Sequence, residues 1–246
     1  MSTGRAVGPI ALVGSGEFLP GMREVDAELL AGRPQRAVFL PTAAALEGDE
    51  RIDYWIGLGT AHYRAMGVEP VPLRVLTRQD ADNPELAGQV EGAGLVYLSG
   101  GNPGYLVETL RDTLVWRAIH AAWEAGAALA GCSAGAIALS AVVPDPRSTE
   151  VGRIEPALGV ASQLAVIPHF DRFDRVLPRL AARIRSEVPP GVLTVGIDED
   201  TALVGGPEEW TVRGRQRVWV IGDDDDAREG LRAGARLSAP LPPGGG

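Results

Sequence analysis

One stretch of the chain combines a possible nucleophile with the backbone that would expose it. Residues 127–139 read Ala-Ala-Leu-Ala-Gly-Cys-Ser-Ala-Gly-Ala-Ile-Ala-Leu, so an apolar run leads through Gly-x-Ser-x-Gly into an Ala-rich segment. A serine between a strand and a helix in this pattern is typical of a nucleophile elbow. The glycines permit a tight turn, and the helix N-terminus favours a developing oxyanion. We therefore predict that Ser133 is a nucleophile.

Cys132 is the alternative nucleophile, because a thiol is intrinsically more nucleophilic than a hydroxyl. The glycines stand two residues before and two residues after Ser133, whereas Cys132 lies one residue too early. Adjacent side chains diverge, so we expect Cys132 to pack beside the strand end as a small hydrophobic residue. An enzyme that depends on Cys132 remains an alternative hypothesis.

A serine nucleophile needs a general base, and the chain contains no lysine that could serve: all 23 basic residues are arginines. The candidates are the three histidines. His62 and His120 lie within segments with helical periodicity, where a packing or surface role is expected. His169 directly follows the apolar run 164–168, so it stands at a strand end like Ser133. Strand ends on one edge of a parallel sheet converge, and we predict that His169 is the base.

A carboxylate should orient this histidine and stabilise its protonated form. The best source is Ile-Asp-Glu-Asp-Thr at 197–201, where three acids follow another apolar run. We choose Glu199 as the third member. Other acids remain open for this role, namely Asp198 and Asp200 beside it, and Asp145 and Glu150 after the elbow helix.

Residues 98–103, Leu-Ser-Gly-Gly-Asn-Pro, end a further apolar run with a glycine pair. We predict that the Gly101 amide forms an oxyanion hole with the amide of Ala134. Asn102 is a candidate substrate-binding residue, and it is also a good helix N-cap followed by proline. Arg172, like Arg175, could bind a substrate carboxylate or could be a solvated helix charge.

Short apolar runs alternate with helix-length segments, which predicts an α/β fold with a mostly parallel, doubly wound sheet covered by helices on both faces. The last fifth of the chain differs: segments 210–213 and 216–221 around Gly214 predict an antiparallel C-terminal hairpin. The four acids at 223–226 suggest a solvated loop. The predicted strands are 10–13, 37–40, 68–76, 95–98, 127–130, 164–167 and 193–197, and the predicted helices are 21–30, 49–66, 104–124, 134–142 and 173–186.

Composition narrows the classes of function. The chain has 246 residues and a formal net charge of −9, which disfavours broad nucleic-acid binding. The absence of lysine excludes Schiff-base lysines, Ser–Lys dyads and P-loop lysines. A single cysteine excludes an internal disulfide framework, and no apolar run is long enough for a membrane span. We expect one cytoplasmic domain over 1–246, with a core at 8–222 and a disordered tail at 240–246.

Four motifs taken together resemble the serine peptidases of the dipeptidase E and cyanophycinase family. They are Gly-Cys-Ser-Ala-Gly-Ala at 131–136, Ser-Gly-Gly-Asn at 99–102, Pro-His-Phe at 168–170 and Gly-Ile-Asp-Glu-Asp-Thr at 196–201. Their order and spacing match across residues 9–205. The resemblance implies a class I glutamine amidotransferase-like fold in which serine replaces the usual cysteine nucleophile. It also implies hydrolysis of α-aspartyl dipeptides or of the β-Asp–Arg links of cyanophycin.

The resemblance implies Ser133 as nucleophile and His169 as base, but it divides on the acid. Dipeptidase E members have the acid between Ser and His, near Ser148 and Glu150, whereas cyanophycinases have it at the strand end that is 198–200 here. Cyanophycinases also have Asp-Gln before the histidine, where this chain has Ile-Pro.

These observations predict a serine hydrolase that cleaves small acidic peptides through an acyl-enzyme, with no metal and no organic cofactor. The expected partners are a small acidic peptide substrate, no nucleic acid and no membrane, and a homodimer is one possible quaternary state. The alternative is a non-catalytic amidotransferase-like module that binds a small ligand or a partner.

Overall fold

The computed structural model describes residues 7–145, 153–172, 180–222 and 228–241. The strands are β1 (Ile10–Val13), β2 (Arg36–Leu40), β3 (Glu69–Pro72), β4 (Leu95–Leu98), β5 (Ala128–Cys132), β6 (Val142–Pro144), β7 (Ile154–Pro156), β8 (Leu164–Pro168), β9 (Leu193–Ile197), β10 (Thr201–Gly205), β11 (Glu209–Gly214), β12 (Arg217–Ile221), β13 (Arg228–Arg232) and β14 (Arg236–Ser238). The helices are α1 (Arg23–Leu30), α2 (Asp49–Ala65), α3 (Arg78–Ala81), α4 (Pro84–Gly88), α5 (Pro103–Leu110), α6 (Leu114–Glu124), α7 (Ala134–Leu139) and α8 (Leu180–Glu187), with 3-10 turns at Pro20–Met22 and Thr42–Glu47.

The central sheet has eight strands in the order β14-β11-β10-β1-β5-β4-β2-β3. Five neighbouring strands in this order pair in parallel, namely β1, β5, β4, β2 and β3. The remaining three extend the sheet in antiparallel fashion beyond β1. The parallel half corresponds to the short apolar runs of the sequence, because strands buried on both faces need apolar side chains on both faces.

Helices cover both faces of this sheet because side chains alternate along each strand. Ile10 and Leu12 of β1 belong to one apolar cluster, which also contains side chains of α5, α6 and α7. Ala11 and Val13 belong to a second cluster with side chains of α1 and α2. The predicted three-layer, doubly wound α/β fold is confirmed.

A second, four-stranded sheet has the order β13-β12-β9-β8. Its strands β8 and β9 were expected in the same parallel sheet as β1, and this expectation is wrong. They pair in parallel with each other, but the open side of β1 is occupied by β10, whose Gly205 is aligned with Ile10. The central sheet is therefore closed to β8 and β9 on that side.

The C-terminal part contains β-hairpins, as predicted, but the strands have other partners than those expected. β11 pairs with β10 and β14 in the central sheet, whereas β12 pairs with β9 and β13 in the second sheet. The link between β11 and β12 is hydrogen-bonded to the first residue of β10 and to the residue before it, instead of joining the two strands in a hairpin. The Arg215 N–H donates to Asp200 O at 2.8 Å, and the Gln216 N–H donates to Thr201 Oγ1 at 3.0 Å.

The helix predicted over 104–124 is divided into α5 and α6. Asp112 has a φ of +61°, which interrupts the helix. Thr113 then caps α6, because its hydroxyl accepts a hydrogen bond from the Trp116 N–H at 3.3 Å. Of the helix predicted at 173–186, residues 173–179 lie outside the described residues.

The ends of several strands lie next to one another. Val13 at the end of β1 is aligned with Cys132 at the end of β5, and Leu98 at the end of β4 is aligned with Gly131. The segments that follow these strands share one edge of the sheet, which is where open α/β sheets bind ligands. The acidic run 223–226 and residues 242–246 of the tail lie outside the described residues.

Candidate active site

The predicted elbow forms a sharp turn between β5 and α7. Ser133 has φ +51° and ψ −108°, a conformation that costs free energy for a residue with a side chain. Its N–H donates to Val13 O at 2.9 Å. A Cβ on Gly131 would lie 2.4 Å from the Gly135 backbone, and a Cβ on Gly135 would lie 2.1 Å from Leu98 O. Both positions therefore require glycine.

His169 lies between Ser133 and Glu199 and contacts both. Its Nε2 is 2.9 Å from Ser133 Oγ, and its Nδ1 is 3.0 Å from Glu199 Oε1. A carboxylate can only accept, so Nδ1 carries the proton and Nε2 accepts from the serine hydroxyl. The His169 and Glu199 side chains are 30% and 21% exposed, so the site is open to solvent on one side.

Three neighbouring residues hold Glu199. Its backbone N–H donates to Asp171 Oδ1 at 3.0 Å, and its carbonyl accepts from Gln216 Nε2 at 3.0 Å. The Arg172 guanidinium lies 2.9 Å from Oε2, the carboxylate oxygen that does not face His169. Both carboxylate oxygens are therefore bound, which fixes the orientation of Oε1 toward the imidazole.

The other acids at this strand end have different contacts. Asp198 is buried and accepts hydrogen bonds from Trp219 Nε1 at 3.0 Å and from the Arg217 N–H at 3.2 Å. Asp200 has a φ of +52° and lies 3.8 Å from Arg215. The Asp145 N–H donates to Arg153 O at 2.9 Å. Glu150, the other alternative acid, lies outside the described residues, as do Ser148 and Arg175.

The glycine pair after β4 lies against the elbow. A Cβ built on Gly100 would be 3.5 Å from Ser133 Cβ. Gly101 has a φ of +140°, and a Cβ there would be 2.3 Å from Ala43 O, so glycine is needed. The Asn102 N–H donates to Ala43 O at 2.7 Å. Among the described residues, neither the Gly101 N–H nor the Ala134 N–H donates a hydrogen bond to an acceptor in the turns, loops or helix caps.

Asn102 caps α5: its Oδ1 accepts from the Tyr105 N–H at 2.9 Å. Its backbone is fixed by the hydrogen bond to Ala43, and the residue is exposed. Arg172 is 73% exposed, and its contact with Glu199 uses one nitrogen of a guanidinium that carries five N–H donors. The cation predicted to bind substrate is therefore also an ion-pair partner of the candidate triad.

Cys132 is fully buried in the apolar cluster on the α1 and α2 face. Its Sγ donates to Glu17 Oε2 at 2.8 Å. Burial raises the pKa of the Cys132 thiol well above its usual range, and the nearby Glu17 carboxylate raises it further. The thiolate is the nucleophilic form of cysteine, so these surroundings disfavour Cys132 as a nucleophile.

The other two histidines have packing partners of their own. His62 Nε2 is 2.7 Å from Asp26 Oδ2, and both side chains are 2% exposed. His120 lies between Trp116 and Trp123 on the surface of α6. These contacts agree with the structural roles that their helical positions suggested.

Three residues at the site were not singled out from the sequence: Glu17, Asp171 and Gln216. Glu17 accepts a hydrogen bond from the Gly100 N–H, and Asp171 and Gln216 are hydrogen-bonded to the backbone of Glu199. A signal existed for Glu17, because an acid four residues after the end of β1, in Gly-Ser-Gly-Glu, lies near the same sheet edge as the elbow. Gln216 had none, because its place depends on how β10 and β12 are arranged.

A model of the family described as Peptidase family S51 matches residues 10–212. The chain belongs to this family of serine-type peptidases, and the resemblance noted in the sequence is confirmed. The solved structure of a peptidase from an acI-B1 Actinobacterium is 39% identical, with a TM-score of 0.86, and the match covers 96% of this chain and 98% of that chain.

Two curated relatives are cyanophycinases, from Trichormus variabilis and from Nostoc sp., each 28% identical over 174 residues. The match covers 65% of this chain and 55% of each relative, so the chain spans about half the length of the curated relatives it matches. A Listeria monocytogenes protein provisionally assigned as peptidase E is 18% identical, with a TM-score of 0.62 over 85% of this chain and all of that one, and shows likeness of fold alone.

The described residues contain neither a membrane-spanning helix nor a cluster of metal-binding side chains. None of their helices is both long and apolar enough to cross a membrane. No group of three or more His, Cys, Asp or Glu side chains among them is arranged to hold a metal ion.

Proposed function

We propose that this protein is a serine peptidase that hydrolyses small aspartyl peptides through an acyl-enzyme formed on Ser133. The single observation that carries the proposal is His169, whose two ring nitrogens lie 2.9 Å from Ser133 Oγ and 3.0 Å from Glu199 Oε1. A nucleophile, a base and an orienting acid in this order define a catalytic triad by geometry and role. Membership of peptidase family S51 supports the same chemistry.

In the proposed mechanism, His169 Nε2 takes the hydroxyl proton as Ser133 Oγ attacks the carbonyl carbon of the scissile bond. Glu199 keeps the proton of His169 on Nδ1 and stabilises the imidazolium. The N–H groups of Gly101 and Ala134 would donate to the oxyanion of the tetrahedral intermediate. His169 then protonates the leaving amine, the C–N bond breaks, and an ester to Ser133 remains. Water, deprotonated by His169, hydrolyses that ester and restores the serine.

The substrate class is proposed from the resemblance and from Arg172, a cation that contacts the triad within the part of the chain that the structure describes. Arg172 is exposed and keeps N–H donors beyond its contact with Glu199, so it could bind a substrate carboxylate while it holds the triad. The chain has a net charge of −9, so attraction of an acidic peptide requires such a local arginine. Asn102, exposed beside the glycine pair, is the second proposed substrate contact.

The alternative function, a non-catalytic binding module, has less support. That hypothesis would be favoured if Ser133 and His169 were too far apart to meet, whereas their side chains are within hydrogen-bonding distance. The function as an enzyme is therefore the one we propose, and the binding module becomes an outcome of the test.

The test combines covalent labelling with hydrolysis assays. We expect a fluorophosphonate probe to label the wild-type protein, peptide mapping to place the label on Ser133, and Ser133→Ala to abolish it. The wild type should hydrolyse α-aspartyl dipeptides or β-Asp–Arg dipeptides, with no activity in Ser133→Ala. A wild type that is neither labelled nor active toward these peptides would refute the proposal and favour the binding module.

A further inference from the structure

Glu17 is a buried acid for which the proposed mechanism has no role. It lies in the segment after β1, and it is 5% exposed. A buried carboxylate is unfavourable unless polar groups compensate it. Both of its oxygens have such partners, and the partners belong to two different strand ends beside the nucleophile.

The first partner is the loop that carries one of the proposed oxyanion donors. The Gly100 N–H donates to Glu17 Oε1 at 3.0 Å. Gly101 follows at once, in a backbone conformation with φ +140° against Ala43. Fixing the peptide of Gly100 therefore fixes the direction in which the next amide points.

The second partner belongs to the elbow itself. Cys132 Sγ donates to Glu17 Oε2 at 2.8 Å, and Cys132 is the residue immediately before Ser133. The two carboxylate oxygens thus connect the loop after β4 with the end of β5. These are the two segments that supply the proposed oxyanion donors, Gly101 and Ala134.

We propose that Glu17 is a positioning residue: it holds the Gly100–Gly101 loop against the elbow so that the amides of Gly101 and Ala134 face the same point. The inference rests on the proposed function. Glu17 touches neither substrate nor the reacting atoms, so it acts through the geometry of the oxyanion hole. Its role should therefore appear in the transition state and hardly in substrate binding.

The experiment compares two variants of Glu17 in the full-length protein. Glu17→Met keeps a side chain of similar length but removes the acceptor for Gly100. Glu17→Gln keeps an acceptor oxygen for Gly100 and places its NH₂ toward Cys132. We expect Glu17→Met to lower kcat by about 100-fold with KM changed less than about threefold, since a displaced oxyanion donor costs roughly that factor. Glu17→Gln should retain kcat within about fivefold, because it restores the hydrogen bond.

The rate of fluorophosphonate labelling gives a second readout, because the phosphoryl oxygen occupies the oxyanion hole as the probe reacts. Labelling of Ser133 should slow in Glu17→Met in parallel with kcat. A merely structural role is tested with Asp26→Leu, which replaces another buried acid of the same apolar layer. Asp26→Leu should lower the Tm at least as much as Glu17→Met and leave kcat within about threefold of the wild type.

The outcomes separate this inference from the function on which it rests. A wild type that is not labelled overturns both. A labelled and active wild type overturns the inference alone if Glu17→Met reacts at the wild-type rate, or if Asp26→Leu loses as much kcat. A 100-fold loss in Glu17→Gln would also overturn it, because the hydrogen bond to Gly100 would then not be the cause. If Glu17→Met does not fold, Glu17→Leu, which also removes the acceptor for Gly100, is measured in its place, with the same expected loss of kcat and the same overturning result.

Discussion

The contacts of Glu199 make the effect of Glu199→Gln specific. In the wild type, one carboxylate oxygen faces His169 Nδ1 at 3.0 Å and the other faces Arg172 at 2.9 Å. Both neighbours are donors, and a carboxylate can accept from both. Glutamine has only one acceptor oxygen, and the permanently charged guanidinium binds it more strongly than a neutral imidazole N–H does. The NH₂ group then faces His169.

This orientation gives His169 the wrong tautomer. Nδ1 must accept from the glutamine NH₂, so the proton moves to Nε2, which can no longer accept the proton of Ser133. An acid-to-amide change of this kind lowers kcat by about 10⁴, or about 5.5 kcal/mol of transition-state stabilisation. We expect a loss of that order for Glu199→Gln, with the fold preserved because the volume of the side chain is unchanged.

The double variant Glu199→Gln/Arg172→Ala tests the cause. Without the guanidinium, the amide oxygen can turn to Nδ1–H, so the working tautomer returns while the negative charge does not. We expect kcat to recover roughly tenfold over Glu199→Gln. The rest of the loss should remain, mainly because the negative charge of Glu199 is still absent. The assay is steady-state hydrolysis of the best aspartyl dipeptide, with ¹⁵N NMR of the imidazole rings to read the tautomer. The reasoning is refuted if Glu199→Gln stays within tenfold of the wild type, or if its His169 keeps the proton on Nδ1.

Two further predictions concern the Gly100–Gly101 loop, which carries a proposed oxyanion donor, and the buried acid Asp26. Gly101→Ala would place a Cβ 2.3 Å from Ala43 O at a φ of +140°, so the loop must move; kcat should fall about 100-fold, whereas Gly57→Ala, with open space around its Cβ, should leave kcat unchanged. Equal activity of the two variants would contradict this. Burial raises the pKa of Asp26 above its ordinary value, and His62 offsets this in part. Because the folded pKa exceeds the unfolded one, this acid's contribution to stability is full at low pH and is lost as the pH rises from about 4 through the folded pKa. Urea unfolding should therefore show Asp26→Asn gaining stability relative to the wild type over that interval, and a difference independent of pH would refute it.

Much of the candidate site could be predicted from the local sequence. The Gly-x-Ser-x-Gly turn follows an apolar run and holds Ser133 in a strained backbone conformation. Only glycine fits at positions 131 and 135, because a Cβ there would collide with neighbouring backbone atoms. The position of His169 after another apolar run placed it at a strand end. The absence of lysine excluded a lysine base and left the three histidines as candidates. These are short-range properties, which neighbouring residues decide by steric fit and by the apolar character of a buried strand.

Other features depended on contacts between distant segments. Glu199, Asp198 and Asp200 follow one another in sequence, yet Glu199 alone of the three has a carboxylate oxygen within hydrogen-bonding distance of His169 in the described structure. Which of three adjacent acids faces a given histidine depends on the backbone twist at the end of β9 and on the partners Asp171 and Gln216. Neither partner could be identified before the chain was folded.

The sequence by itself determined that an apolar, helix-covered sheet would present a serine on a glycine-flanked turn and a histidine at a strand end, because both follow from steric and apolar patterns within about ten residues. Only the tertiary structure decided which strands share a sheet, that Arg172 binds Glu199, and that Glu17 joins the loop at Gly100 to the elbow. The physical reason is that the local sequence does not determine the partners of a carboxylate. Its partners are the groups that folding brings within about 3 Å of it.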